Sequence, residues 1–234
     1  MTTNPDRVPN LNARFDLIIF DCDGVLVDSE VISCRAHAET LTRHGYPITS
    51  DQVFDRFLGR SMRHATVEIE AEMGRSLPDD FQTQVYAEVF RLFAESLQAT
   101  PHIDAALAAI ALPRCVASSG PPEKISASLN RVGLYDRFAP HIFSAVQVRH
   151  GKPAPDLFLF AAERMRTLPA RCLVIEDSVA GVTAALAAGM AVLGYHGGSH
   201  CRPDTAATLR AAGAGITFDD MRQLPDLIER IGAN

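Results

Sequence analysis

The chain has 234 residues and a net charge of −6, with hydrophobic residues making up 47% of its length, a balance that marks a folded globular protein with a sizeable core. No long basic run and no Trp occur, which argues against a surface that tracks nucleic acid or anionic lipid and favours a small diffusible substrate. The polar, Pro-containing start MTTNPDRVPNLNAR lacks the apolar stretch of a signal peptide and no run reaches transmembrane length, so the expectation is a cytoplasmic protein, a monomer or small homo-oligomer, without nucleic-acid or membrane partners.

Phe15 to Phe20 (FDLIIF) is a short, nearly continuous apolar run that ends in a cluster of acids. It predicts a buried parallel strand delivering carboxylates at its C-terminal end. From about Glu30 to Gln98 the pattern turns helical. Met62 to Met73 predicts one helix, ended by Gly74, and Phe81, Val85, Val89, Leu92, Phe93 and Leu97 recur three or four apart as one buried face of another. Further apolar runs follow at Cys115 to Ala117, Ile142 to Ala145, Cys172 to Ile175, Met190 to Gly194 and Gly215 to Phe218. Helical patterns lie among them at Lys124 to Val132, Asp156 to Met165 and Val179 to Ala188, the last stopped by Gly189.

Strands alternating with helices of this length predict βαβ units and a doubly wound parallel α/β sheet. The expected division is a core of residues 14–28 and 100–234 with a helical cap of residues 29–99, inserted after the first strand where it can close over the strand ends. In such sheets the ligand sits at the carboxyl ends of the strands, and Asp21, Ser118 and Glu176-Asp177 are expected there. Five cysteines, an odd count without a CxxC pair, suggest neither a disulfide framework nor a zinc site. Of 22 basic side chains only Lys124 and Lys152 are lysines.

The segment FDCDGVLVDSE places Asp21 and Asp23 two apart after the first strand and just before Gly24. Extended backbone would aim both at one site, and glycine allows the sharp turn that follows. One carboxylate could then attack phosphorus and hold a cation while the other moves protons. Read alone, the pair could also be turn formers or helix caps.

The segment resembles the first motif of the haloacid dehalogenase-like superfamily, in its branch of helical-cap phosphatases and β-phosphoglucomutases. Val116-Ala117-Ser118 resembles the second motif, Gly151-Lys152-Pro153-Ala154-Pro155-Asp156 the third, and Val174-Ile175-Glu176-Asp177-Ser178 the fourth. The resemblance implies a Rossmann-like core with a helical cap and a magnesium-dependent phosphomonoester hydrolase working through an aspartyl phosphate. It implies Asp21 as nucleophile and Asp23 as acid and base, protonated near neutral pH for the first step. Ser118 and the Ser119 amide would hold phosphoryl oxygens, and Lys152 would neutralise the transferring group. Mg²⁺ would be held by Asp21, the backbone oxygen of Asp23 and Asp177, with Glu176 as a further ligand or a partner behind the ligands.

Other chemistries of the superfamily are weighed on the same residues. Dehalogenases lack the second aspartate, which is present here; the phosphonate hydrolase of similar architecture uses a cap lysine, and Glu30 to Gln98 contains none. A β-phosphoglucomutase would carry a His at the position of Ser33, whereas the nearest here is His37, a helical turn further on. That favours hydrolysis over the phosphomutase alternative. A catalytically silent phosphate-binding protein would have lost an acid or Lys152. Arg60 and Arg63, in FLGRSMR, resemble the substrate-facing cap loop and could bind a leaving group. A sugar or sugar-alcohol phosphate is the substrate expected. GYHGGSHC follows a strand end and could bring His196 or His200 to the site, but a flexible surface loop without a metal role is the reading expected, and His150 is expected to be of local importance only.

Overall fold

The computed structural model of the chain describes residues 15–57 and 62–232, the side chains of 62–64 and 232 excepted. Its frame is six strands, β1 (Leu17–Phe20), β2 (Arg114–Ser118), β3 (Ile142–Ser144), β4 (Cys172–Glu176), β5 (Ala191–Tyr195) and β6 (Ile216–Phe218), in the order β3-β2-β1-β4-β5-β6. Every neighbouring pair is parallel. β1 is central, and its register sets Phe20 beside Val116 of β2 and Ile175 of β4. The strand order reverses between β1 and β4, so the crevice at their carboxyl ends is the topological switch point of the sheet.

The strands are mostly apolar because both faces of the sheet are covered. Ile18, Phe20, Leu173, Ile175 and Leu193 join one apolar cluster, while Leu17, Ile19, Cys172, Val174 and Val192 join the other, as the two-residue period of a strand requires. The first cluster is closed by α5 (Ile103–Ala109), α6 (Pro122–Arg131), α7 (Tyr135–Phe138) and α11 (Leu224–Gly232), the second by α8 (Asp156–Arg164), α9 (Val179–Ala187) and α10 (Thr205–Ala211). This is the doubly wound α/β arrangement expected from the sequence.

After β1 and before α5, the described residues form four helices, α1 (Glu30–Arg43), α2 (Ser50–Phe57), α3 (Met62–Met73) and α4 (Phe81–Ser96). They form the inserted helical cap. The residues read as one apolar face of α4, Phe81, Val85, Val89, Leu92 and Phe93, are all buried, as is Leu97 beyond its end. The chain leaves and re-enters the core along two crossings that lie side by side. Asp28 N donates to Gln98 O at 3.1 Å and Thr100 N to Leu26 O at 3.0 Å, with an antiparallel bridge between Val27 and Ala99.

Two element boundaries differ from the sequence reading for identifiable reasons. α6 starts at Pro122 rather than Lys124, because proline has no N–H to satisfy and its fixed φ suits a first helical turn; Lys124 therefore sits inside that turn. β3 ends at Ser144, and Ala145 enters a 3₁₀ turn capped by the Ser144 hydroxyl and the Gln147 side chain. No helix among the described residues is long and apolar enough to cross a membrane.

Candidate active site

The sheet brings the four sequence motifs together at the carboxyl ends of β1, β2 and β4. Asp21 N continues the ladder by donating to Ile175 O at 3.0 Å, which holds the backbone straight for one residue past β1 and leaves the carboxylate at the strand tip, 8% exposed. Lys152 reaches the same point from the loop after β3. Its ammonium donates to Asp21 Oδ1 at 2.6 Å, Glu176 Oε1 at 2.6 Å and the Ala117 carbonyl at 3.0 Å. Three donors and three acceptors use the group completely, so this one side chain ties β1, β2 and β4 together.

Glu176 has no exposed surface, and its second oxygen, Oε2, accepts from Asp177 N and Ser178 N, both at 3.0 Å, and from Ser178 Oγ at 2.9 Å. Ser178 also caps α9 by accepting from Gly181 N. A β-carbon at Gly181 would fall 1.9 Å from Glu176 Cδ, so only glycine lets this helix start so close to the buried acid. Gly24 plays the equivalent part across the site. Its φ is +79°, and a β-carbon there would lie 1.9 Å from Asp177 Oδ2.

Asp21, Glu176 and Asp177 each offer a carboxylate oxygen, and these oxygens lie within 4.8 Å of one another. Burial pushes the Asp21 carboxyl well up from its ordinary range, with the charges of Glu176 and Asp177 adding to the rise and Lys152 opposing it. Burial likewise raises Asp177, against the pull of its hydrogen bond with His200. Carboxylates gathered so closely call for more positive charge than Lys152 supplies. An all-oxygen donor set with surplus negative charge fits a hard divalent cation.

Asp23 is held apart from this group. Ser29 Oγ donates to its Oδ1 at 2.5 Å and Lys124 Nζ to the same oxygen at 2.9 Å. Burial alone would push Asp23 up, but the Lys124 charge, the Ser29 hydroxyl and the more distant Lys152 together take it below the ordinary value. In this arrangement an ammonium in contact favours the carboxylate form of Asp23, whereas the proton-donating step implied by the resemblance calls for the acid. Nearby Glu30 goes the other way. Its burial, with the Asp23 charge, pushes it up to about 7.

His200 also departs from the sequence reading. It is 8% exposed rather than on a flexible surface loop, and its Nε2 lies 2.9 Å from Asp177 Oδ2. Burial pulls the imidazole down, but the Asp177 carboxylate outweighs it and takes the group up to about 11. The loop is drawn in because Ser199 bonds Asp28 through its N–H at 3.1 Å and its hydroxyl at 2.8 Å. His196 contributes a backbone bond to Phe218 O, and His150 pairs locally with Asp156 at 3.0 Å. Ser118 is buried at the end of β2, its Oγ accepting from Gly120 N at 3.1 Å, and Ser119 beside it is exposed. His37 Nδ1 bonds the Ser33 carbonyl at 2.8 Å within α1. Arg60 and the side chain of Arg63 lie outside the described residues.

Sequence reasoning singled out Asp21, Asp23, Ser118, Lys152, Glu176 and Asp177, and the fold gathers them at adjacent strand ends. It missed Lys124, Ser29 and Glu30 as neighbours of those carboxylates, and for His200 it favoured a surface loop over an approach to the site. One signal was available for Lys124: in a chain with only two lysines among 22 basic side chains, a lysine marks a place where a compact ammonium is wanted.

Residues 15–189 match the family of haloacid dehalogenase-like hydrolases. The chain is 34% identical to the 6-phosphogluconate phosphatase of Escherichia coli over 92% of its own length and 95% of that protein. It is 31% identical to a phosphorylated carbohydrates phosphatase of Thermotoga maritima, over 86% of this chain and 93% of that one. A conserved haloacid dehalogenase-like protein of Agrobacterium tumefaciens superimposes with a TM-score of 0.81 at 37% identity, covering 93% of this chain and 99% of the other. The chain belongs to the haloacid dehalogenase-like hydrolase family, and within it is a phosphatase.

Proposed function

We propose that the protein hydrolyses a phosphomonoester of a small carbohydrate, a sugar, sugar-alcohol or sugar-acid phosphate, through an aspartyl phosphate on Asp21. The observation that carries this reading is the carboxylate of Asp21 at the tip of the central strand, fixed by Lys152 and facing Asp177. The carbohydrate class rests on the two related phosphatases, which act on 6-phosphogluconate and on phosphorylated carbohydrates.

Asp21, Asp177 and the backbone carbonyl of Asp23 would hold Mg²⁺, with Glu176 behind them because its oxygens are already engaged by Lys152, Asp177 N and Ser178. When bound there the cation supplies Lewis-acid charge to the phosphoryl oxygens. Asp21 attacks phosphorus in line with the leaving oxygen, forming the Asp21–phosphorus bond as the ester bond breaks. Lys152 offsets the charge on the attacking carboxylate and on the group in transfer. The Ser118 hydroxyl and the amides of Asp23 and Ser119 orient the remaining oxygens.

Asp23 protonates the departing alkoxide and then takes a proton from the water that cleaves the intermediate. Its ionised state beside Lys124 suits the second of these steps. For the first, an incoming phosphate brings negative charge next to Asp23, which raises the carboxyl's proton affinity. Residues 29–99 act as the cap that screens this chemistry from water, and residues 14–28 with 100–234 as the core. Hydrolysis rather than phosphomutase chemistry is favoured by Ser33, which stands where the mutases carry a histidine, while His37 is turned back onto the α1 backbone.

A screen of sugar, sugar-alcohol and sugar-acid phosphates with Mg²⁺ or with chelator tests the reading. Metal-dependent release of inorganic phosphate from members of this set is expected. Isomerisation of β-glucose 1-phosphate with a bisphosphate primer, without net phosphate release, would overturn it in favour of the phosphomutase.

A further inference from the structure

The chain's two lysines sit on the two aspartates of one turn. Lys152 bonds Asp21 and Lys124 bonds Asp23, across 131 and 101 residues of sequence respectively. The first pair belongs to the motifs already described, and the second does not. Lys124 is carried by the first turn of α6, with its side chain only 13% exposed. Its ammonium lies 5.9 Å from the ring centroid of Phe93 on cap helix α4, and Arg131 at the other end of α6 donates to the Phe93 carbonyl at 3.1 Å. Lys124 therefore stands at the seam between core and cap. Both donors to Asp23, Lys124 Nζ and Ser29 Oγ, fall on Oδ1. Among the described residues no side-chain donor is recorded on Oδ2.

We propose that Lys124 is a positioning residue for the acid and base carboxylate: with Ser29 it fixes Oδ1 and so leaves Oδ2 as the oxygen that exchanges a proton with the leaving group and with water. This rests on the assignment of Asp23 to proton transfer made above. A compact ammonium serves where arginine would not. Its three donors sit on a single point, so it can hold one carboxylate oxygen without the planar fork that would span both. Two donors on one oxygen fix the rotation of the carboxylate, and proton transfer falls off steeply when the exchanging oxygen is misaimed.

The test compares leaving groups. Formation of the phospho-enzyme is followed in single turnovers with an alkyl phosphomonoester, whose alkoxide needs a proton, and with p-nitrophenyl phosphate, whose phenolate does not. Lys124→Met is expected to slow the alkyl ester roughly 10- to 100-fold and the aryl ester by less than about threefold. Added to Asp23→Asn, it is expected to cost almost nothing more, since the residue works through that carboxylate. Lys124→Gln, which keeps a donor near the same reach, should fall between the parent and Lys124→Met, and it carries the comparison if Lys124→Met does not fold. Equal losses on both esters, or full additivity with Asp23→Asn, would overturn the proposal. Asp23→Asn alone separates the two ideas. If it shows no dependence on the leaving group, the proton-transfer role of Asp23 is wrong; if it does and the Lys124 variants do not, only the role of Lys124 is.

Discussion

The strand ends of the core and the surface of the helical cap use ion pairs in opposite ways. At the strand ends, Lys152 with Asp21 and Glu176, and Lys124 with Asp23, are almost completely enclosed. On the cap, Arg56 pairs with Glu68 and Glu72, and Arg91 with Glu39, Glu88 and Glu95, across side chains that are mostly a third to a half exposed. Water screens the second set, so each pair adds little to stability. The first set was taken out of water at a desolvation cost that its attractions barely repay. Removing one partner of an enclosed pair leaves the other charge uncompensated, so the two regions should respond to substitution differently.

The largest response is expected from Lys152→Met. It strands two enclosed carboxylates, and unfolding titrations should register a loss of about 3–5 kcal/mol, with turnover falling by a factor on the order of 1,000. An unchanged midpoint would mean that the pair is no more enclosed than those on the cap. Gly181→Ala comes next. Its new β-carbon would meet Glu176 at 1.9 Å, so a loss of about 2–3 kcal/mol is expected from displacement of the acid or of α9, read in the same titration.

Glu30 gives a pH signature. Its value in the folded chain is about 7 against an ordinary 4.5, so the folded state prefers the protonated acid. That preference contributes stability fully below pH 4.5 and loses it as pH rises through about 7. Glu30→Gln should abolish the loss and gain on the order of 2 kcal/mol relative to the parent between pH 5 and pH 8. Parallel stability curves for the two proteins would contradict this. The smallest effect is expected from Arg56→Ala on the cap, with Tm within about 2 °C of the parent and phosphatase kinetics unchanged.

The same contrast explains what could be read from the sequence. β1 and β4 were legible because a strand covered on both faces must be apolar throughout, and Asp21 and Glu176-Asp177 because they interrupt such runs at their ends. The apolar face of α4 was legible from its helical period. Lys124 was not, since its partner lies in another element and its place in the turn depends on α6 starting at Pro122. His200 was not either. Its burial depends on Ser199 binding Asp28, 171 residues away, and on the space left by Gly24, whose β-carbon would come 2.9 Å from the imidazole. Local patterns report burial and turn chemistry; they carry no information on which distant side chain closes a polar pair.

As the proposed nucleophile, Asp21 should carry the phosphoryl group. Enzyme mixed with Mg²⁺ and a turned-over sugar phosphate, quenched in acid within one turnover and digested, should yield the peptide containing Asp21 heavier by one phosphoryl group. Asp21→Asn should remove both that species and phosphate release. A phosphorylated peptide elsewhere in the chain, or phosphate release that survives Asp21→Asn, would mean that Asp21 is not the nucleophile.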